Sequence, residues 1–375
     1  QLTSYAYDAV GNRIKTTDAN LHVTTYAYDA NNRVTSQTDA LGELTSIEYD
    51  AVGNRTKVTD GNGHATSYVY DADDRLVSQT DALGNVTSYE LDAEGHRTKL
   101  TDANGHATSF VYDAIYRLTK ETDALGHITA YEYDAVGNRS KITDANGHAT
   151  SFVYDAVDRI VSRTDALGKT ASYTYDAAGN RISFTDENAH TVSYAYDLVN
   201  RLITQTDALG YVVAFEYDAV GNRSKMTDQN GNVTKYSYDS NNRLFTVTDA
   251  LSGMTQYGYD AVGNRIKVTD ANQHSNYFQY DAVNQLVASV DAEGYVVSRH
   301  YDQAGNLVSQ THFANKFAVA NWDGKIAISV TGNAALDQSE GYTYDAVNRQ
   351  TQHIDGEGHV SSQSYDAVGN ILSAT

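Results

Sequence analysis

Aromatic and small polar side chains alternate along the chain in short runs. Tyr5 and Tyr7, Tyr26 and Tyr28, Tyr68 and Tyr70, Phe110 and Tyr112, and Phe215 and Tyr217 each lie two apart. Residues two apart share one face of a β-strand. The residue between them is Ala, Val, Glu, Thr or Ser, as a wetter face would hold. Each run lasts about six residues, which is strand length, and is bounded by turn chemistry. In residues 45 to 66 one turn is Asp50-Ala51-Val52-Gly53-Asn54 and the other is Asp60-Gly61-Asn62-Gly63. Asp and Asn bond nearby backbone, and Gly supplies positive φ. Strand, turn, strand, turn without helix signals predicts a meander of hairpins.

The unit is copied. A tyrosine–aspartate pair returns every 21 residues, at Tyr7-Asp8, Tyr28-Asp29, Tyr49-Asp50 and Tyr70-Asp71, through Tyr133-Asp134, Tyr217-Asp218 and Tyr259-Asp260 to Tyr301-Asp302. Leu91-Asp92 alone breaks the tyrosine. A period this short means one supersecondary unit per repeat, too small to bury an apolar face alone. Residues present in every copy are therefore expected to be architectural. In odd repeats a four-residue loop, Ala51 to Asn54, would pair Asp50 with Arg55, Tyr49 with Thr56, Glu48 with Lys57 and Ile47 with Val58. Opposite charges then meet on one face and apolar groups on the other. The even repeats, such as Asp71-Ala72-Asp73-Asp74-Arg75, have one residue fewer before the arginine, and their register stays open. Gly-Asn-Arg loops alternate with Asn-Asn-Arg loops, so the true period is 42. The predicted fold is all-β: tandem 21-residue hairpins in a curved antiparallel sheet that forms a wall around a space, with a parallel β-roll as the competing geometry.

Three segments are expected: a regular array over 1–302, an irregular stretch over 303–343, and repeats resumed over 344–375. From Asp302 to Asp345 the spacing is 43 residues, two periods plus one, which reads as one reworked hairpin with a slipped phase. The irregular stretch holds the only tryptophan, Trp322, and an apolar run from Lys325 to Val330. Trp322 is the candidate partner surface, against the plainer reading of a degenerate repeat with a longer loop.

YDAVGNR, YDANNR and TDALG resemble the YD repeats of RHS-type proteins over nearly the whole chain. The resemblance implies a spiralling antiparallel sheet that builds a hollow shell. In bacterial polymorphic toxins and insecticidal toxin complexes such a shell encloses a toxic C-terminal domain. It also implies kinship with the teneurins, animal adhesion proteins, and carbohydrate binding as an alternative role. The expected partners are the rest of the same polypeptide, toxin cargo and closing segments included, with glycans or self-association into a fibre as alternatives. A secreted or cell-surface location, in a bacterium, follows from the resemblance.

Composition narrows the chemistry. Acidic residues number 48 against 27 basic, a net charge of −21, which repels phosphate backbones and argues against nucleic acid. There is no cysteine and no proline, so disulfides and thiolate metal sites are excluded. No apolar run approaches the ~18 residues of a membrane span. The chain starts inside a repeat and is expected to be a piece of a longer protein. His64, His106 and His148 recur in Asn-Gly-His turns. At 42 residues apart they stand roughly 20 Å from one another and cannot converge on one ion. Asp60 to Gly63 and Asp102 to Gly105 begin like calcium loops but lack the downstream glutamate. Ser, His and Asp abound, yet no serine occupies a strained elbow. No catalytic residue and no cofactor is expected.

Overall fold

The computed structural model describes residues 2–318, 322 and 327–375. Its 34 strands run in chain order from Ser4–Tyr7 to Ile371–Ala374, and no helix occurs among the described residues. Every ladder described joins strands consecutive in the chain, and all are antiparallel. The hairpin reading holds, and the parallel β-roll does not. The fold is a curved, unclosed antiparallel sheet of tandem hairpins.

The chain divides into two compact units. One contains Gln1–Tyr89, Thr101–Gly105 and Thr255–Thr375; the other contains Glu90–Leu100 and His106–Met254.

Within each hairpin the register departs from expectation at one position. Ile47 faces Val58 and Glu48 faces Lys57, as predicted, but Tyr49 faces Arg55, with a bulge between Glu48 and Tyr49. The expected pairs Tyr49–Thr56 and Asp50–Arg55 do not form. The cause is the Asp50 carboxylate. Its Oδ1 accepts the amides of Val52, Gly53 and Asn54 at 3.1, 2.7 and 2.8 Å, so the loop closes on Asn54, whose carbonyl accepts the Asp50 N–H at 3.0 Å. The loop is thus three residues long, its last in the left-handed region (Gly53, φ 115°), and the residue after Arg55 becomes the bulge. Even repeats use the same offset: Tyr70 faces Leu76 and Val69 faces Ser78. Arg75 therefore occupies the place of Asn54, and this accounts for the missing residue.

A single-layer sheet buries little. The buried apolar side chains among the described residues are Ala171, Ala288, Val290, Val296 and Ile328. All but Ala171 form one cluster in the first unit, packed by Tyr277, Phe313, Phe317, Trp322 and Val330. This is where the irregular stretch lies. The strand Leu307–Lys316 pairs directly with Gln338–Tyr344, Ser309 facing Gly341 and Gln310 facing Glu340. Repeat-to-repeat pairing is therefore unbroken. The described part of the insertion, Phe317, Trp322, Ile328 and Val330, packs with Tyr277, Ala288 and Val290, and in the other regular repeats the place of Val290 is held by Thr, as at Thr38, Thr80 and Thr248. The expected slipped phase does not occur, because the insertion sits outside the ladder. Of the apolar run, residues 325–326 lie outside those described, and Ile328 is buried, its N–H donating to Gln279 Oε1 at 2.7 Å.

Candidate functional site

What recurs is a hydrogen-bonded row along the turns and a tyrosine staple between hairpins. In nearly every repeat the Tyr-Asp tyrosine donates its hydroxyl to a backbone carbonyl fifteen residues earlier, at the start of the preceding repeat's second strand. Tyr28 reaches Arg13, Tyr49 reaches Val34, Tyr70 reaches Arg55, Tyr133 reaches Leu118 and Tyr217 reaches Leu202, at 2.7 to 3.0 Å. Across the insertion Tyr344 still reaches the equivalent carbonyl, Leu307, though the separation is 37 residues. Tyrosine suits this place because a large ring covers the sheet while its hydroxyl satisfies a carbonyl.

Arginines lie over these rings. Arg33 stands 4.7 Å from the Tyr49 ring centroid, Arg117 4.6 Å from Tyr133 and Arg201 4.7 Å from Tyr217. Arg55 is 5.2 Å from Tyr68. Such stacking contributes about 0.5–1 kcal/mol at exposed sites. On the opposite face Glu48–Lys57, Glu132–Lys141 and Glu216–Lys225 pair at 3.1, 2.9 and 2.8 Å. Exposed as they are, they add little.

The 42-residue period has a geometric cause in the turn row. In an odd turn the asparagine side chain reaches forward to the left-handed residue of the next even turn. Asn54 donates to Asp74, Asn138 to Asp158 and Asn222 to Asn242, at 2.8, 2.7 and 3.2 Å. The left-handed residue must therefore carry an acceptor, which explains non-glycine residues at Asn32 (φ 61°) and Asp158 (φ 62°) against the usual steric cost. In an even turn the arginine reaches forward instead: Arg33 Nη1 donates to the Asp50 carbonyl at 3.0 Å while its Nε holds Asp29 at 2.7 Å. The guanidinium passes over Gly53, where a Cβ would stand 3.6 Å from it. Each turn type thus recognises the other. In the repeat that loses the tyrosine, His96 replaces the asparagine, holds Asp92 at 3.1 Å and stacks on Tyr116 at 4.4 Å.

These contacts favour the ionised form of Asp29, Asp197 and Asp366. Backbone and side-chain donation from Arg33 and Arg201 lowers Asp29 and Asp197 below the usual carboxylate range, against a desolvation that raises them. Asp366 falls to about 2, chiefly through the Asn370 side chain, with Asn104 also donating. The cause is in each case a carboxylate accepting several N–H bonds.

A third set of contacts joins distant stretches of the first unit. Asn20 donates to Asp260 at 3.0 Å. Asn62 donates to Asp302. Asn104 clamps the last of the three turns, giving a hydrogen bond to Asp366 at 2.9 Å and accepting the Ala367 N–H at 3.1 Å. Here second-type turns of the early repeats meet Tyr-Asp turns more than two hundred residues later. Nothing in a copied unit distinguishes Asn62 from other asparagines, so periodicity alone did not reveal this contact.

The other candidates stay local. The ring nitrogen of His148 lies 3.1 Å from Asp144 in its own turn, and that of His64 lies 3.5 Å from Asp60. Asp60 accepts the His64 amide and Asp102 the Asn104 amide, so these carboxylates act as turn caps. No group of three His, Cys, Asp or Glu residues placed to hold a metal occurs among the described residues. Trp322 packs edge-on to Tyr277, ring centroids 5.0 Å apart.

The RHS repeat family matches residues 7–44, 28–66, 49–85, 70–108, 217–253, 238–275 and 280–316, together more than half of the chain. The chain belongs to the RHS repeat family. The teneurin YD-shell family matches residues 106–232. No curated protein sequence matches. Among solved structures, the RHS repeats here share a fold with a chain of the TcdB2-TccC3-Cdc42 crystal structure (TM-score 0.71, 14% identity, 96% of this chain and 24% of that one). A chain of TcdB2-TccC3 is similar too (0.60, 16%, 99% and 27%), as is one from the Photorhabdus luminescens Tc holotoxin pore (0.53, 15%, 99% and 26%). The chain spans about a quarter of the length of these relatives.

Proposed function

We propose that this chain is a wall segment of a toxin shell: a non-enzymatic sheet that encloses or delivers a cargo domain of the same larger protein. The observation that carries this reading is the row of turn-to-turn contacts that recurs along the repeats. Each repeat's polar groups are spent on its neighbours: tyrosine on a carbonyl of the repeat before, asparagine and arginine on the turn after. Such a design makes a continuous wall and assigns no turnover to any one copy. The likeness to TcdB2-TccC3 chains supports it at the level of fold. The acidic surface suits a secreted or surface-exposed location, and no helix among the described residues is long and apolar enough to cross a membrane. A glycan platform would need free aromatic faces, whereas many of these rings lie under guanidinium groups with their hydroxyls bound.

Limited proteolysis of the parent protein tests the proposal. The repeats and the segment they enclose should survive together, and the enclosed segment should be digested only after the sheet is unfolded. Equal digestion of that segment in the native and unfolded protein would refute containment.

A further inference from the structure

The arginines of the second unit divide into two sets. Those of the even turns, Arg117, Arg159 and Arg201, are half-buried and pair at 2.7 Å with Asp113, Asp155 and Asp197. Those that open the second strand of odd hairpins, Arg139, Arg181 and Arg223, are exposed and make no ion pair among the described residues. All three lie over aromatic rings. Arg139 is 4.9 Å from the Tyr131 centroid, Arg181 5.1 Å from Tyr194 and Arg223 4.7 Å from Tyr236. Stacking does not use up a guanidinium: Arg201 lies over Tyr217 and still gives its Nε to Asp197. A ring covers the plane of the fork, while the N–H donors project from its edge. In the exposed set those edges are open. Their one protein acceptor among the described residues is the Tyr194 hydroxyl, 3.4 Å from Arg181 Nη2.

Nothing on this face offsets their charge. From Ile128 to Thr248 the strands carry two carboxylates, Glu132 and Glu216, and both pair with lysines, Lys141 and Lys225, on the opposite face. The turn aspartates closest in sequence are engaged within their own turns. Asp134, Asp176 and Asp218 each accept the backbone and side-chain amides of the asparagine four residues on. Arg163 shares the face but is taken by Glu187. The ladder is continuous from Arg139 to Arg223. Successive members of the row stand four strands apart, roughly 20 Å.

We propose that this face binds an acidic polypeptide segment laid across the strands, with its carboxylates at Arg139, Arg181 and Arg223. A guanidinium edge offers two parallel N–H groups to one carboxylate. An extended chain advances ~3.3 Å per residue, so carboxylates about six residues apart match the row. Half-buried Phe152 and Phe215 lie in the intervals and receive apolar side chains of the segment. The spacing also selects against dense polyanions. Duplex DNA carries a charge per ~1.7 Å, and most of its phosphates would meet only a chain of net charge −21. At 0.15 M salt the screening length is about 8 Å, so a sparse segment feels its direct contacts more than the distant acid. The proposal stands apart from containment, since a wall needs no charged face.

Fluorescence anisotropy with the full chain tests this. The probe is a labelled peptide of about 20 residues, with glutamate at every sixth position and leucine midway between. Binding should saturate at 0.15 M salt and weaken as salt rises, and the peptide with glutamine for glutamate should not bind. Arg139→Gln/Arg181→Gln/Arg223→Gln should weaken binding at least tenfold. Lys141→Gln/Lys225→Gln, on the other face, should leave it unchanged. Should the triple variant misfold, Arg181→Gln alone should weaken binding at least twofold with an unchanged circular dichroism melt. No binding of the glutamate peptide, arginine variants that bind like the parent, or equal affinity for a short DNA duplex would overturn the proposal.

Discussion

The Tyr217 hydroxyl donates to the Leu202 carbonyl at 2.8 Å, across the boundary between two hairpins. This bond joins copies rather than closing one, so it bears on coupling between repeats. Tyr217→Phe keeps the ring under Arg201 and removes only the donor. It should cost about 0.5–1.5 kcal/mol, read from the urea midpoint. An unchanged midpoint would remove the staple from the account of stability.

Arg201 does three things at once. Its Nε holds Asp197 at 2.7 Å, its Nη1 reaches the Asp218 carbonyl at 3.3 Å, and its plane lies over Tyr217. Lysine keeps the charge but has neither the fork nor the plane. Arg201→Lys should therefore destabilise by about 1–2 kcal/mol, the scale of a lost charged hydrogen bond. A double-mutant cycle with Tyr217→Phe should show non-additive costs, because the two side chains touch. Additive costs would show that ring and guanidinium act independently.

Gly61 tests the contact between distant repeats. A Cβ there would run into the carbonyl of Gln303. Its backbone conformation is one that alanine accepts at the equivalent Ala19 and Ala103, so within its own hairpin Gly61→Ala should be neutral. Against Gln303 it should cost about 1–3 kcal/mol by overpacking. A neutral result by thermal melting would mean that residues 60–63 and 302–303 do not meet.

Acid should loosen the turns. Asp29, Asp197 and Asp366 have folded pKa values below the unfolded reference of 3.8, Asp366 at about 2. A depressed carboxylate contributes stability that is present above the unfolded value and is lost as pH falls through the folded one. The melting temperature should therefore drop between about pH 4 and pH 2, with proton uptake on unfolding. Measured in high salt, which screens the net charge, a flat profile over that window would contradict the capping role of these aspartates.

Much of this was legible in the chain. The period, the two turns per unit, the pairs Ile47–Val58 and Glu48–Lys57, and the 42-residue alternation all rest on local chemistry that each copy repeats. The bulge after Arg55 was not legible, because it depends on which amides the Asp50 carboxylate captures, and that is a matter of distance rather than of residue type. The alternation was visible as a pattern, but its cause appears only when Asn54 and Asp74 are seen in contact. Two further features required the folded molecule. The residues between Phe313 and Asp337 look like a failed repeat until the ladder is seen to continue past them, leaving Ile328 free to pack on Val290. In the same way Asn20, Asn62 and Asn104 resemble every other turn asparagine. A repeated sequence specifies neighbours through short-range hydrogen bonds, but it labels no copy. Which copies meet across hundreds of residues is decided only in the folded molecule, where Asn20 reaches Asp260 and Asn104 reaches Asp366.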